Sequence, residues 1–335
     1  MNLHDVGEFG LIERLHSRLQ TRRGVRLGIG DDAAIMESLR APVVTCDALV
    51  EKVHFRRDWT TPRALGRKAM SVNVSDIAAM GARPVAAFVA LAVSENDELN
   101  WIEELYRGME EIAARYGFTI AGGDTTRAPV AMISITLIGE LEGEPVLRSG
   151  AQIGDEIIVT GTLGDAAAGL AWLQNPDANL EKPARDYLLL RHHEPTARLD
   201  EMRAALMVKC KDGTRAVRAA LDLSDGIAGD GAHIAKRSNV SLEIFAAQLP
   251  ISSQCRQAAE VLRTDARDWA LGGGEDYELL LCVAPEKTEE TCAAIGATGT
   301  PATRIGHCIA RQESAVILVD TNDKRAAVRG AFVHF

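Results

Sequence analysis

Short apolar runs alternate with helical periodicities along the whole chain, and the longest run spans only Val85 to Val93. A membrane helix needs ~20 apolar residues, so this stretch reads as a buried strand. Phe9, Ile12, Leu15 and Leu19 fall at helical spacing and predict a helix over 7–19. Thr61-Pro62 is a helix-start signal and Gly81 a stop, predicting a helix over 62–80. A further helix over 97–116 closes at Gly117. Strands are expected at 43–46, 85–93 and 130–138. Beyond them, strands at 156–160, 219–223, 240–245 and 277–283 interleave with helices at 165–173, 183–191, 199–209 and 227–237. Between Glu140 and Gly154 the chain turns rich in Gly, Glu and Pro, as a linker does. Strands and helices mixed at this spacing predict an α+β chain with α/β-type mixed sheets, in two domains over 1–142 and 143–335.

The 47 acidic and 37 basic residues leave a formal charge of -10. That sign repels a phosphate backbone, so neither nucleic acid nor an anionic membrane is an expected partner. Phosphate compounds stay compatible if metal ions intervene. Cys46, Cys210, Cys255, Cys282, Cys292 and Cys308 include no C-x-x-C pair and read as the reduced thiols of a cytoplasmic protein. The opening MNLHDVGEFG carries Asp5 and Glu8, unlike a secretory leader.

Asp31, Asp124, Asp155, Asp165, Asp212, Asp225 and Asp230 each adjoin a glycine. One such pair is a turn; the set asks for more. Gly28-Ile29-Gly30-Asp31-Asp32-Ala33 has the letters of a dinucleotide fingerprint. However, its carboxylates would sit where a pyrophosphate needs amides, and Arg22, Arg23 and Arg26 occupy the strand it requires. Two adjacent carboxylates suit a hard cation better. Thr45-Cys46-Asp47 ends a strand with carboxylate, hydroxyl and carbonyl oxygens. Asn73 and Asp76 share a helix face among small residues, where a charge is costly unless paired. Asp76 is therefore a ligand candidate, with a capping or ion-paired role as the alternative. Gly122-Gly123-Asp124-Thr125-Thr126, read as a flexible loop, combines amides, a carboxylate and hydroxyls. Arg127 beside it either binds phosphate or braces the loop. Asp222-Leu223-Ser224-Asp225-Gly226 repeats those ingredients, and Gly272-Gly273-Gly274-Glu275-Asp276-Tyr277 adds another acidic turn. No P-loop, protein-kinase signature or G-x-S-x-G elbow occurs, and His192-His193 lacks metal spacing. Many oxygen donors and no soft ones select Mg²⁺ or Mn²⁺, which usually accompany phosphates.

GEFGLIERL, LGIGDDAA, TCDALVEKVHF, KAMSVNVSDIAAMGARP, AGGDTTR, LRSGAQIGD, VTGTLGDAAAGL, LDLSDGIAGD, GGGEDYEL and GAFVHF, in this order, resemble the thiamine-monophosphate kinase family. It belongs to the superfamily named for aminoimidazole ribonucleotide synthetase. Selenophosphate synthetases and hydrogenase-maturation carbamoyl dehydratases share only the GDDAA and SD themes. The resemblance implies an N-terminal αβ domain pairing across a homodimer into a β-barrel and a C-terminal α/β domain, with ATP and several Mg²⁺ ions between them. It implies Asp32, Thr45, Cys46, Asp47, Asp76, Asp124, Asp222 and Asp225 as metal ligands, and Asp31 as a structural neighbour of Asp32. It implies Gly123, Asp124, Arg148 and Ser224 as ATP contacts, and His54, Glu275 and Phe332 as thiamine-phosphate contacts. The family often has a hydroxyl residue where this chain has Cys46, a harmless change if coordination is through the backbone carbonyl. The implied reaction is ATP-dependent phosphorylation of thiamine monophosphate to thiamine diphosphate, the last step of that cofactor's biosynthesis, by direct in-line transfer without a general base. Other readings are a different phosphorylated acceptor within the superfamily and a non-catalytic nucleotide-binding regulator.

Overall fold

The computed structural model describes residues 2–29 and 32–328. Its chain divides into two compact units. One contains the N-terminal segment through Ile77 together with Ala82–Glu144; the other contains Ala78–Gly81 and the chain from Pro145 onward.

In the first unit, helix α1 (Leu3–His16) precedes the short strands β1 (Val25–Leu27) and β2 (Ile35–Met36), which pair antiparallel. There follow β3 (Pro42–Val50), α2 (Pro62–Ala79), β4 (Ala82–Val93), α3 (Leu99–Tyr116), β5 (Thr119–Arg127) and β6 (Met132–Leu141). The four long strands form one sheet in the order β3-β6-β4-β5, antiparallel except for the parallel β4/β5 pair. Helix α3 exists because Leu99, Ile102, Leu105, Met109 and Ile112 make one apolar stripe, and it ends where Gly117 takes a left-handed φ of 75°. Ile102, Leu105 and Met109 are fully buried, worth about 1.5–3 kcal/mol each relative to exposure.

The sheet corrects one sequence expectation. Gly122–Thr126 is not a loop but the middle of β5, hydrogen-bonded along β4 from Ala86↔Thr119 to Val93↔Arg127. The glycines there answer to packing: a Cβ on Gly123, whose φ is 152°, would lie 1.9 Å from the Val89 carbonyl oxygen. The sheet is also open; among the described residues there is no closed barrel. One face meets α2, while the other presents Val44, Cys46 and Ala48 beside Ile138, Thr136 and Ser134, with Val44 61 % exposed.

The second unit runs β7 (Glu156–Thr160), α4 (Asp165–Gln174), α5 (Lys182–His193), α6 (Leu199–Met207), β8 (Val217–Asp222), α7 (Ile227–Ser238) and β9 (Val240–Phe245). It continues with α8 (Ser253–Leu262), α9 (Ala266–Gly272), β10 (Leu279–Val283), α10 (Thr288–Gly296), β11 (Ala302–Ala310), β12 (Val316–Val319) and β13 (Arg325–Ala327). These strands form a seven-stranded mixed sheet in the order β13-β12-β9-β11-β7-β10-β8. Apolar clusters on both faces, one built on Ile227 and Ile234 of α7 and another on Met202 and Ala205 of α6, bury it. The architecture is mixed α+β in two units. Strand β10 begins at Leu279 and not at Tyr277, because Glu275 and Tyr277 hold positive φ values of 68° and 50° that belong to a turn.

Candidate active site

Each unit carries its own share of the acidic motifs. In the first, the pleat of β3 sends Thr45 and Asp47 toward α2. The Thr45 hydroxyl donates to Asp76 Oδ2, and the Asp47 amide donates to Asn73 Oδ1 at 3.3 Å. Asn73 is in turn fixed by donating to the Ala69 carbonyl at 3.0 Å, so α2 presents Asn73 and Asp76 together to β3. Burial first, and then the like charge of Asp76, push the Asp47 carboxyl up from 3.8 to about 6. Two carboxylates that resist joint ionisation are a place where a cation is welcome.

The Cys46 thiol sits on the opposite face, accepting from Thr136 Oγ1 at 3.5 Å with Ser134 Oγ 3.6 Å away. Of its expected metal role, that position leaves the backbone carbonyl. Among the described residues no group of three or more His, Cys, Asp or Glu side chains forms a ready metal cage. The Thr45, Asp47 and Asp76 set still fits Mg²⁺, which takes one or two carboxylates and fills its shell with water and phosphate oxygens.

Across the sheet, Asp47 lies in one register row with Ile135, Val89 and Gly123, three strand spacings or about 14 Å long. At the β5 end a cavity of about 830 Å³ is lined by Asp32, Gly123, Asp124, Thr125, Tyr106 and Ile12, among others. This brings Asp32, from the bend before β2, to Gly123 and Asp124 of β5. Tyr106 was not singled out by the sequence. The available signal was a phenol inside the apolar stripe of α3, since a buried tyrosine hydroxyl seeks a polar partner. Burial raises its pKa above the ordinary value. His54 accepts from the Val50 amide through Nδ1 at 3.1 Å, which leaves Nε2 as the protonated, donating nitrogen. Arg127 pairs with Glu95 at 2.9 Å on the surface.

In the second unit, Asp222 ends β8 and is 5 % exposed, and Ser224 and Asp225 form the turn into α7. Gly226, with φ 90°, lets this turn lie against Leu271 and Gly273: a Cβ there would come within 2.9 Å of both carbonyl oxygens. The Glu275 amide donates to the Ser224 carbonyl and the Tyr277 amide to the Leu223 carbonyl, each at 2.8 Å. The acidic turns of residues 222–226 and 272–277 are therefore one hydrogen-bonded body. Glu275 Oε2 lies 3.2 Å from Nδ1 of the buried His192. Asp276 caps α4, accepting from the Gly164 amide at 2.7 Å, and burial pushes its carboxyl up to about 8. Glu278, fully buried, is held below its ordinary value because Arg198 and Arg191 outweigh the effect of burial. Asp230, whose carboxyl burial raises to about 7, accepts from the Asp225 amide at 2.8 Å. Arg148 is exposed, with its carbonyl held by Ser238 Oγ at 3.2 Å. Gly30, Asp31 and Phe332 lie outside the described residues.

The two-unit mixed α+β fold agrees with comparison to known proteins. Residues 30–141 match the AIR synthase related protein, N-terminal domain, and residues 152–319 match the corresponding C-terminal domain. The chain is 36% identical to the thiamine-monophosphate kinase of Bacillus subtilis (strain 168) over 98% of this chain and 100% of the relative. The crystal structure of thiamine-monophosphate kinase from Stenotrophomonas maltophilia K279a superposes with a TM-score of 0.79 at 37% identity, covering 93% of this chain and 96% of that one. A structure of AaThiL complexed with AMPPCP and TMP superposes with a TM-score of 0.77 at 33% identity, covering 100% and 99%. The chain belongs to the thiamine-monophosphate kinase family. Among the described residues no helix is long and apolar enough to cross a membrane.

Proposed function

We propose that the chain transfers the terminal phosphoryl group of ATP to thiamine monophosphate, giving ADP and thiamine diphosphate. The observation that carries this is the all-oxygen pairing of Asp47 with Asp76 under a Thr45 hydroxyl, in a chain whose full-length relatives are named thiamine-monophosphate kinases. The acceptor is a phosphate monoester with a second pKa of about 6, so its attacking oxygen is already ionised near pH 7 and no general base is needed. The difficulty is bringing two polyanions together, since unit charges at ~4 Å repel by about 4 kcal/mol at an effective dielectric of 20.

Mg²⁺ held by Asp32, Asp47, Asp76, Asp124, Asp222 and Asp225, with Thr45 and the Cys46 carbonyl, would supply the charge that cancels this repulsion. The protein's own groups then position the partners. Thr45 orients the Asp76 carboxylate. Gly123 contributes bare backbone beside Asp124 on the cavity wall. Arg148 offers ATP a planar pair of donors, and Ser224 a hydroxyl. For thiamine monophosphate, His54 offers an Nε2 donor, Glu275 a carboxylate complementary to the cationic thiazolium, and Phe332 an aromatic face.

The bare face of the first sheet, with Val44, Cys46 and Ala48, suits a second copy of the chain, and a homodimer closing a barrel there belongs to the same proposal. We place the domain boundary at 142/143, within the Gly-, Glu- and Pro-rich stretch 140–154, and the enzyme in the cytoplasm from its scattered, unpaired cysteines. Incubation with ATP, MgCl₂ and thiamine monophosphate should give thiamine diphosphate by chromatography. No product at saturating magnesium overturns the reading, and product from another phosphorylated acceptor alone would favour the alternative within the superfamily.

A further inference from the structure

The turn that carries Ser224 and Asp225 is pinned from below. Asp230 stands in the first turn of α7, 5 % exposed, with its own amide bonded to the Gly226 carbonyl at 2.9 Å. Its side chain points back along the helix, and Oδ2 accepts from the Asp225 amide at 2.8 Å. Burying a carboxylate is costly unless donors and positive charge compensate it. Here the Asp225 amide, and after it the charge of Arg148, offset part of that cost, while burial and the like charge of Asp225 still hold the carboxyl above its ordinary value. Helix α7 reaches Arg148 a second time at its other end, where Ser238 Oγ holds the Arg148 carbonyl at 3.2 Å. One helix therefore fixes the Asp225 amide through Asp230 and the Arg148 carbonyl through Ser238.

We infer that Asp230 is a positioning residue for the nucleotide: it sets the Ser224–Asp225 turn at the start of the helix whose far end holds the Arg148 carbonyl, without itself touching substrate. The inference rests on the kinase reading, in which Ser224, Asp225 and Arg148 handle ATP and its metal. It separates Asp230 from Glu275 and His54, whose partner is the thiamine compound, so damage at Asp230 should fall on one substrate and not on the other.

The test uses Asp230→Ala and Asp230→Asn in the full chain, with KM for ATP, KM for thiamine monophosphate and kcat measured for each. Ala removes both the acceptor and the charge. It should raise KM for ATP at least about tenfold, the scale of losing hydrogen bonds to a charged group, and leave KM for thiamine monophosphate within about twofold. Asn keeps an oxygen for the Asp225 amide and should recover part of the loss. Unchanged ATP parameters in Ala, or equal losses for both substrates, would overturn the inference.

If Ala does not fold, Asn carries the test through a cycle with Arg148→Gln. The effect of Arg148→Gln on KM for ATP should shrink at least about threefold in the Asn background, and strict additivity would overturn the inference. Calorimetric binding of AMPPCP with Mg²⁺ to the same proteins separates the two readings. Wild type that binds AMPPCP but makes no thiamine diphosphate defeats the kinase reading, while Asp230 is still judged on nucleotide affinity. Wild type that binds no AMPPCP defeats both.

Discussion

The amide of Glu275 donates to the carbonyl of Ser224 at 2.8 Å, so the turn proposed to meet the thiazolium and the turn proposed to meet ATP share a main-chain bond. Gly274 makes this approach feasible, since a Cβ there would lie 2.5 Å from the same carbonyl oxygen. That bond holds the Ser224 carbonyl, whereas Asp230 holds the Asp225 amide, so the Glu275 turn keeps its own anchor when Asp230 is changed.

Asp76→Asn should reduce kcat by on the order of 10²-fold or more, because it removes charge aimed at the phosphates. Cys46→Ala, on the far face of the same sheet, should change kcat by less than about twofold, as surface substitutions do. Steady-state assays of both variants check this. A loss in Cys46→Ala as large as in Asp76→Asn would bring the thiol into the metal site.

Tyr106→Phe should raise KM for ATP about threefold to tenfold, the range of one hydrogen bond, with KM for thiamine monophosphate unchanged. Tyr106→Ala should add a stability loss of about 3–5 kcal/mol, seen in urea denaturation, because the ring is buried. Identical ATP kinetics in Phe and wild type would remove the phenol from the nucleotide's surroundings.

Gly123→Ala should cost about 2 kcal/mol or more of unfolding free energy, through both the clash with the Val89 carbonyl and the φ of 152°. A denaturation midpoint equal to that of wild type would contradict the close β4/β5 approach.

Asp276 should make stability fall as pH rises. Its carboxyl titrates at about 8 in the fold against 3.8 unfolded, so the folded state holds the extra proton between those values. Stability should drop by up to about 1.4 kcal/mol per pH unit through that window and level off above it. Asp276→Asn keeps an oxygen for the Gly164 amide and cannot ionise. Its melting temperature relative to wild type should therefore climb from pH 6 to pH 9; parallel profiles would show that Asp276 does not titrate there.

Much of the architecture was legible because periodicity and punctuation agreed. The helix from Pro62 was announced by Thr61-Pro62, and β9 by the alternation Val240-Ser241-Leu242-Glu243-Ile244. Strand β5 was hidden because its middle is Gly-Gly-Asp-Thr-Thr, the composition of a turn, and only the nearness of Val89 explains glycine in a strand. The acidic motifs of the site were visible as a set, and the structure groups Thr45 with Asp76 and Asp32 with Asp124. Asp230 and Asp276 were visible as letters without a role, since a carboxylate that binds backbone amides is indistinguishable in sequence from one that binds metal. Helices α8, α9 and α10 and strands β1, β2 and β11 to β13 carry no sequence expectation.

Strand β3 is a nine-residue edge with Val44, Cys46 and Ala48 bare on one side. An exposed edge of that length templates strand addition by any chain that reaches it, correct partner or not. On this edge the Asp47 and Val50 amides are already taken by Asn73 and His54, which blunts it against unwanted pairing. If the proposed homodimer forms there, a charged residue at position 44 would weaken it.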